Sequence, residues 1–304
     1  MNSSRSARPR HTGGSRGRLA VLVSTSLAGV GAVLVTAAPA QAAVVEVAVA
    51  AAPGVVAQTA TAGCPNGDYL TGVAGGIVGA GKNVTLTDVI PNLATNSATV
   101  WGHTNPGAAP GYSVVAQAIC RSGPPPADYY LEVQSSGSNA VATKAVTATC
   151  QGTTRLLGTG AQLIGANGQA FYRSILPNFA LTSNTVIADA AFGLAGNWEL
   201  IAYAICATPP GAAPVREAQS TVGGADPVNA KSQQSGTCPA GTATTGVGGS
   251  AAAAAGAVIG GFVFVNQMSS NLAQDTATAE AVEGRNPGAG VNWYLSAYNI
   301  CWAP

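Results

Sequence analysis

Trp198-Glu199-Leu200-Ile201-Ala202-Tyr203-Ala204-Ile205-Cys206 is the stretch that decides how this chain folds. Read as a β-strand, its alternation puts Trp198, Leu200, Ala202, Ala204 and Cys206 on one face. Glu199, Ile201, Tyr203 and Ile205 fall on the other. Both faces are largely apolar, so something must cover each of them. The stretch also recurs. Ile119, Ile205 and Ile300 each stand directly before a cysteine, and Tyr112, Trp198 and Trp293 stand eight residues before the same three cysteines. In the last recurrence the second face carries Tyr294, Tyr298 and Ile300.

Working outward, the six cysteines form three spaced pairs. Cys64 to Cys120 and Cys150 to Cys206 are 56 residues apart, and Cys238 to Cys301 is 63 apart. The opening cysteines recur after 86 and then 88 residues, which marks an internal repeat. Gly72, Gly158 and Gly246 each follow an opening cysteine by eight residues. Asn92, Asn178 and Asn266 follow it by 28, behind Pro91, Pro177 and Val265. Laid cysteine on cysteine without a gap, the first two copies agree at 17 of 57 positions. The third has drifted, with a seven-residue insertion and an alanine run from Ala251 to Ala255. Six cysteines allow fifteen pairings. Bonds within each copy are the simplest, because each copy then closes itself. Each would stabilise the fold by roughly 4 kcal/mol in the chain-entropy model. A metal site fits poorly, since there is no CxxC and few histidines.

Each copy reads as short strands. In the second, Tyr129–Gln134, Lys144–Cys150, Leu156–Ile164, Phe171–Leu176, Thr185–Ala191 and Trp198–Cys206 are apolar or β-branched runs separated by Gly, Asn, Pro and Ser. The expected class is all-β: three homologous antiparallel repeats packed with pseudo-threefold symmetry, like a β-prism. Three tandem β-sandwiches are the alternative, because Gly123-Pro124-Pro125-Pro126 and Pro209-Pro210-Gly211 could act as stiff spacers. The boundaries fall at 1–42, 43–122, 123–208 and 209–304.

Residues 1–42 read as a signal peptide. Arg5, Arg8, Arg10, Arg16 and Arg18 precede an apolar run from Leu19 to Val35, and Ala40 and Ala42 supply a small-x-small site. Cleavage is expected after Ala42. No Arg-Arg pair occurs, which favours the general secretion route. The formal charge of +1 then divides unevenly, since five of 13 basic residues leave with the leader and no acidic one does. The remaining eight basic and 12 acidic residues give −4. Charged residues make up 8% of the chain, against about 25% in an average domain. Such a surface does not suit an electrostatic nucleic-acid binder. With 47% hydrophobic residues the chain is not a disordered one either.

The segments Lys144–Cys150 (KAVTATC), Gly158–Ala161 (GTGA), Leu176–Asn178 (LPN), Leu181–Val186 (LTSNTV) and Asn197–Cys206 (NWELIAYAIC) resemble uncharacterised secreted actinobacterial proteins built from Cys-flanked β-repeats. The likeness covers the second copy well, the first less, and the third only at its ends. It implies secretion and the repeat, and it implies no chemistry.

Catalytic patterns are scarce. A Ser-His-acid hydrolase needs an imidazole, and beyond the leader only His103 offers one. It lies in Trp101-Gly102-His103-Thr104-Asn105-Pro106, which reads as a turn, and aligns with Asp189. Glycosidases need two facing carboxylates, yet no acid recurs among the copies; Asp88 aligns with Ser174. Gly246-Val247-Gly248-Gly249-Ser250-Ala251 loosely fits a dinucleotide fingerprint, but Gly246 is the repeat's own glycine and no helix follows. Gly246–Val265 is 20 residues without a charge, long enough to suggest a membrane-active segment. Tyr112, Trp198 and Trp293 share one repeat position and read as core anchors. Trp101 and Trp302 have no aromatic counterparts and, with His103, are the candidate exposed binding residues. The expectation is therefore a secreted structural or binding protein, not an enzyme, with no cofactor and no metal. Its partners would be neutral glycans or cell-wall polymers; nucleic acid and a stable membrane span in the mature chain are not expected. A pore-forming factor is the alternative, and a hydrolase using His103 ranks below both.

Overall fold

The computed structural model describes residues 33–37, 43–79, 81–108, 110–194, 196–209, 213–220, 230–253, 263–284 and 293–303. Apart from 33–37, the leader lies outside the described residues, and so does part of the Pro209-Pro210-Gly211 joint. Strand β1 (Val33–Ala37) precedes three sets of six. Copy 1 contributes β2 (Ala43–Ala51), β3 (Ala57–Gly63), β4 (Asp68–Val78), β5 (Val84–Asn92), β6 (Ser97–Thr104) and β7 (Tyr112–Ser122). Copy 2 contributes β8 (Tyr130–Ser135), β9 (Thr143–Thr149), β10 (Arg155–Ile164), β11 (Ala170–Pro177), β12 (Ser183–Ala190) and β13 (Glu199–Ala207). Copy 3 contributes β14 (Val215–Ser220), β15 (Ala230–Gln234), β16 (Ala243–Ala253), β17 (Val263–Asn271), β18 (Thr276–Glu283) and β19 (Trp293–Trp302).

These strands make three antiparallel sheets, and no sheet belongs to a single copy. Sheet I runs β1-β2-β7-β4-β17-β18-β15, sheet II β3-β6-β5-β10-β13-β8, and sheet III β14-β19-β16-β11-β12-β9. In each, the first, sixth and third strands of one copy join the fourth, fifth and second strands of another. The seams occupy equivalent places: Gln267↔Gly76 in sheet I, Gln162↔Asp88 in sheet II and Ser174↔Ser250 in sheet III. Tandem sandwiches are thereby excluded, because hydrogen-bonded ladders cross every copy boundary. One buried cluster likewise runs through all three copies, including Leu70, Val73, Leu156, Ile175, Val247 and Ile300.

The repeat glycines sit where the copies meet. Ladder irregularities fall just before Gly72, Gly158 and Gly246, at the same point of each third strand. There the backbones touch. A Cβ on Gly72 would lie 2.2 Å from the Thr245 carbonyl oxygen, and one on Gly158 would lie 2.3 Å from that of Thr71. One on Gly246 would lie 2.6 Å from the Leu157 oxygen, completing the circle. Close backbone approach fixes glycine here.

The disulfides are Cys64–Cys120, Cys150–Cys206 and Cys238–Cys301, each within a copy and each with Cα atoms 5.6 Å apart. Each ties the chain just beyond a copy's second strand to its sixth strand, which lies in a different sheet. The bonds are therefore corner staples between sheets rather than closures of independent units.

Asn266 does not hold the place of Asn92 in the third copy. Asn92 ends β5 and its Oδ1 accepts from the Ala94 N–H at 3.0 Å. In copy 3, Asn271 ends β17 and accepts from the Ala273 N–H at 3.1 Å. Asn271 is thus the counterpart, not Asn266, because most of the insertion falls before β17. The Gly246–Val265 stretch is not one segment in structure. Its start belongs to β16 in sheet III and its end to β17 in sheet I, while 254–262 lie outside the described residues.

Candidate binding surface

Tyr112, Trp198 and Trp293 are buried core anchors. Two of them carry a cation: Lys144 Nζ stands 4.7 Å from the Trp198 ring centre and Lys231 Nζ 4.4 Å from that of Trp293. Each ammonium also donates to the backbone oxygen of its own tryptophan. Burial holds the Lys144 amine below its ordinary range, with Glu199 acting in the opposite direction.

The three candidate contact residues divide. Trp101 is 40% exposed on β6 and keeps its candidacy. His103 shares that strand rather than lying in a turn, half-buried, with Nδ1 2.9 Å from the Thr104 oxygen. Trp302 is only 1% exposed, and its indole N–H donates to the Leu156 oxygen at 3.0 Å. It is a packing residue between copies and not a contact surface.

Around Trp101 the outer face of sheet II is polar. Thr61 and Thr99 share a hydroxyl hydrogen bond at 3.1 Å. Asp88 pairs across the ladder with Trp101 and across the seam with Gln162. The Thr87 hydroxyl donates to its carboxylate at 2.7 Å, and Tyr203 donates to Gln162 Oε1 at 2.7 Å. Burial raises the Asp88 carboxyl to about 6, against the opposing pull of Thr87, Gln162 and His103.

A second region has no counterpart in the sequence reading. Where copies 1 and 2 join, an open concavity of about 830 Å³ is lined by Asp68, Tyr69, Leu93, Asn96, Pro124 and Tyr129, among others. Tyr129 also borders a smaller one of about 410 Å³, with Asp128, Tyr130, Gln151, Thr153 and Thr154. The Tyr69 and Tyr129 rings meet edge to face, with centroids 5.6 Å apart. The Tyr129 hydroxyl donates to the Leu70 carbonyl. Burial pushes both phenols up, so they remain neutral. Behind Tyr69, Arg121 donates to the Trp302 and Ala303 oxygens at 3.1 and 2.7 Å, anchoring the last strand. The groove thus offers aromatic edges, amides, hydroxyls and two carboxylates. The signal for it was a break in the repeat: Tyr129 and Tyr130 stand at the start of β8, whereas Pro214 and Val215 stand at the equivalent place at the start of β14.

Among the described residues, no group of three or more His, Cys, Asp or Glu is placed to hold a metal ion. Nor is any helix there long and apolar enough to cross a membrane. The chain matches no protein-family model, and no curated protein matches it.

Proposed function

We propose that this is a secreted, non-catalytic binding protein of the cell envelope or its surroundings, recognising neutral glycans or related envelope polymers. The observation that carries the reading is the open groove around Tyr129. A neutral polymer is held by aromatic edges and dispersed hydrogen-bond partners, amides, hydroxyls and single carboxylates that accept from sugar hydroxyls, and the groove supplies these. Three disulfides fit an oxidising, extracellular setting. The resemblance to secreted actinobacterial repeat proteins points the same way. Removal of 1–42 as a leader also fits the architecture, because β1 is the one strand that breaks the equality of three six-stranded sheets.

A glycan array probed with the secreted protein tests this. Binding to uncharged polysaccharides is expected, with Asp68→Ala weakening it on the order of tenfold, the size of one or two lost hydrogen bonds. Trp101→Ala would leave binding unchanged if the groove alone is used. Silence across the array overturns the reading. The membrane-active alternative has less support, since Gly246 packs against the backbone of copy 2 at the centre of the fold. Dye-loaded vesicles are expected to stay sealed.

A further inference from the structure

We propose that the mature protein pairs with a second copy of itself through the free edge of β2, making one continuous sheet across the two molecules. The inference rests on the leader reading above. In the full chain, β1 lies antiparallel on that edge, from Val33↔Val47 to Ala37↔Ala43. The outward backbone groups of β2 are therefore placed to accept a strand. Cleavage after Ala42 removes β1 and leaves them unpaired.

Unpaired edges invite pairing unless they are short, charged or covered. The two equivalent edges are guarded. β8 (YLEVQS) and β14 (VREAQS) have six residues each, with Glu132 on one and Glu217 on the other. β2 (AVVEVAVAA) has nine residues and one charge. That charge, Glu46, is already engaged, accepting from Gln117 Nε2 at 2.6 Å. An edge of this length and composition is a template for another strand.

The strand is also suited to its own copy. A twofold axis at Val47, the middle of Ala43–Ala51, pairs all nine residues of each β2. Glu46 then stands opposite Ala48 of the second copy, so no two carboxylates face each other. Such a pairing is isologous and stops at two molecules. The other edge of sheet I, β15 (AKSQQ), is a polar strand of only five residues and would not extend it.

The test is to express the full chain in a secreting host, purify it from the medium, identify its N-terminus by mass spectrometry and measure its mass by sedimentation. A chain beginning at Ala43 is expected to sediment as a dimer. Amide exchange over 43–51 is expected to slow as concentration rises through the dimerisation range. Ala48→Glu, which sets like carboxylates opposite each other across the twofold axis, is expected to give a folded monomer, whereas Gln134→Lys on β8 keeps the dimer. A chain starting at Ala43 that stays monomeric, that grows beyond two copies, or that shows no concentration dependence of exchange in 43–51 overturns the pairing alone. A secreted chain that still carries 33–37 overturns the leader reading and the pairing with it.

Discussion

Asp88 is a carboxyl kept from water at the seam between two copies, and its titration has a definite sign. Its folded pKa of about 6 lies above the ordinary 3.8, so the folded chain holds this proton more tightly than the unfolded chain does. Stability from this group is greatest below pH 4, falls between pH 4 and 6, and is level above. Asp88→Asn is expected to flatten that part of the melting profile and to raise stability at pH 7 by roughly 2–3 kcal/mol. Thermal melts of both proteins from pH 4 to 7 check it, and parallel curves would show that another group governs the slope. Single residues were unevenly legible in the sequence. The shared position of Tyr112, Trp198 and Trp293 announced their burial. Trp302 misled because its counterparts are Arg121 and Ala207, one cationic and one small, yet all three are buried. Its cover comes from the backbone of another copy, which no local pattern records.

Strand elements show the repeat adjusting to its own substitutions. Where the fourth strands reach Pro91 and Pro177, the facing third strands carry Gly160 and Gly248, and a Cβ there would lie 2.8 and 2.7 Å from the proline rings. The sixth strands carry Tyr203 and Tyr298 beside them. In sheet I the proline is replaced by Ser270, whose free N–H now donates to Gln117 at 2.9 Å, in the place of those tyrosines. Strands of the first two copies could be read from alternation and turn residues. The third could not be placed as well, because Ala and Gly in its insertion region mark neither face nor end. What strands could not reveal was which sheet each would join, and that decides what the disulfides do. Since Cys150–Cys206 staples β9 in sheet III to β13 in sheet II, Cys150→Ser/Cys206→Ser is expected to loosen a corner at a cost of about 4 kcal/mol. Denaturant titration of the variant measures it, and a loss well under 1 kcal/mol would mean that the seams alone hold the corner.

For the whole molecule, shared sheets make stability common property. No copy has a complete sheet of its own, so calorimetry is expected to show a single transition whose van't Hoff and calorimetric enthalpies agree. Three separate transitions would contradict the ladder crossings. The sequence disclosed three copies and a threefold body but not this exchange, because spacing along a chain does not say whose strand lies beside whose. The exchange also imposes an order in time. β4 emerges early in synthesis, yet its neighbour β17 lies nearly two hundred residues later, and the circle cannot be completed until that strand arrives. A polypeptide delivered end first, from a ribosome or through a narrow channel, therefore lacks its finished form for most of the journey. Folding waits for the last third of the message.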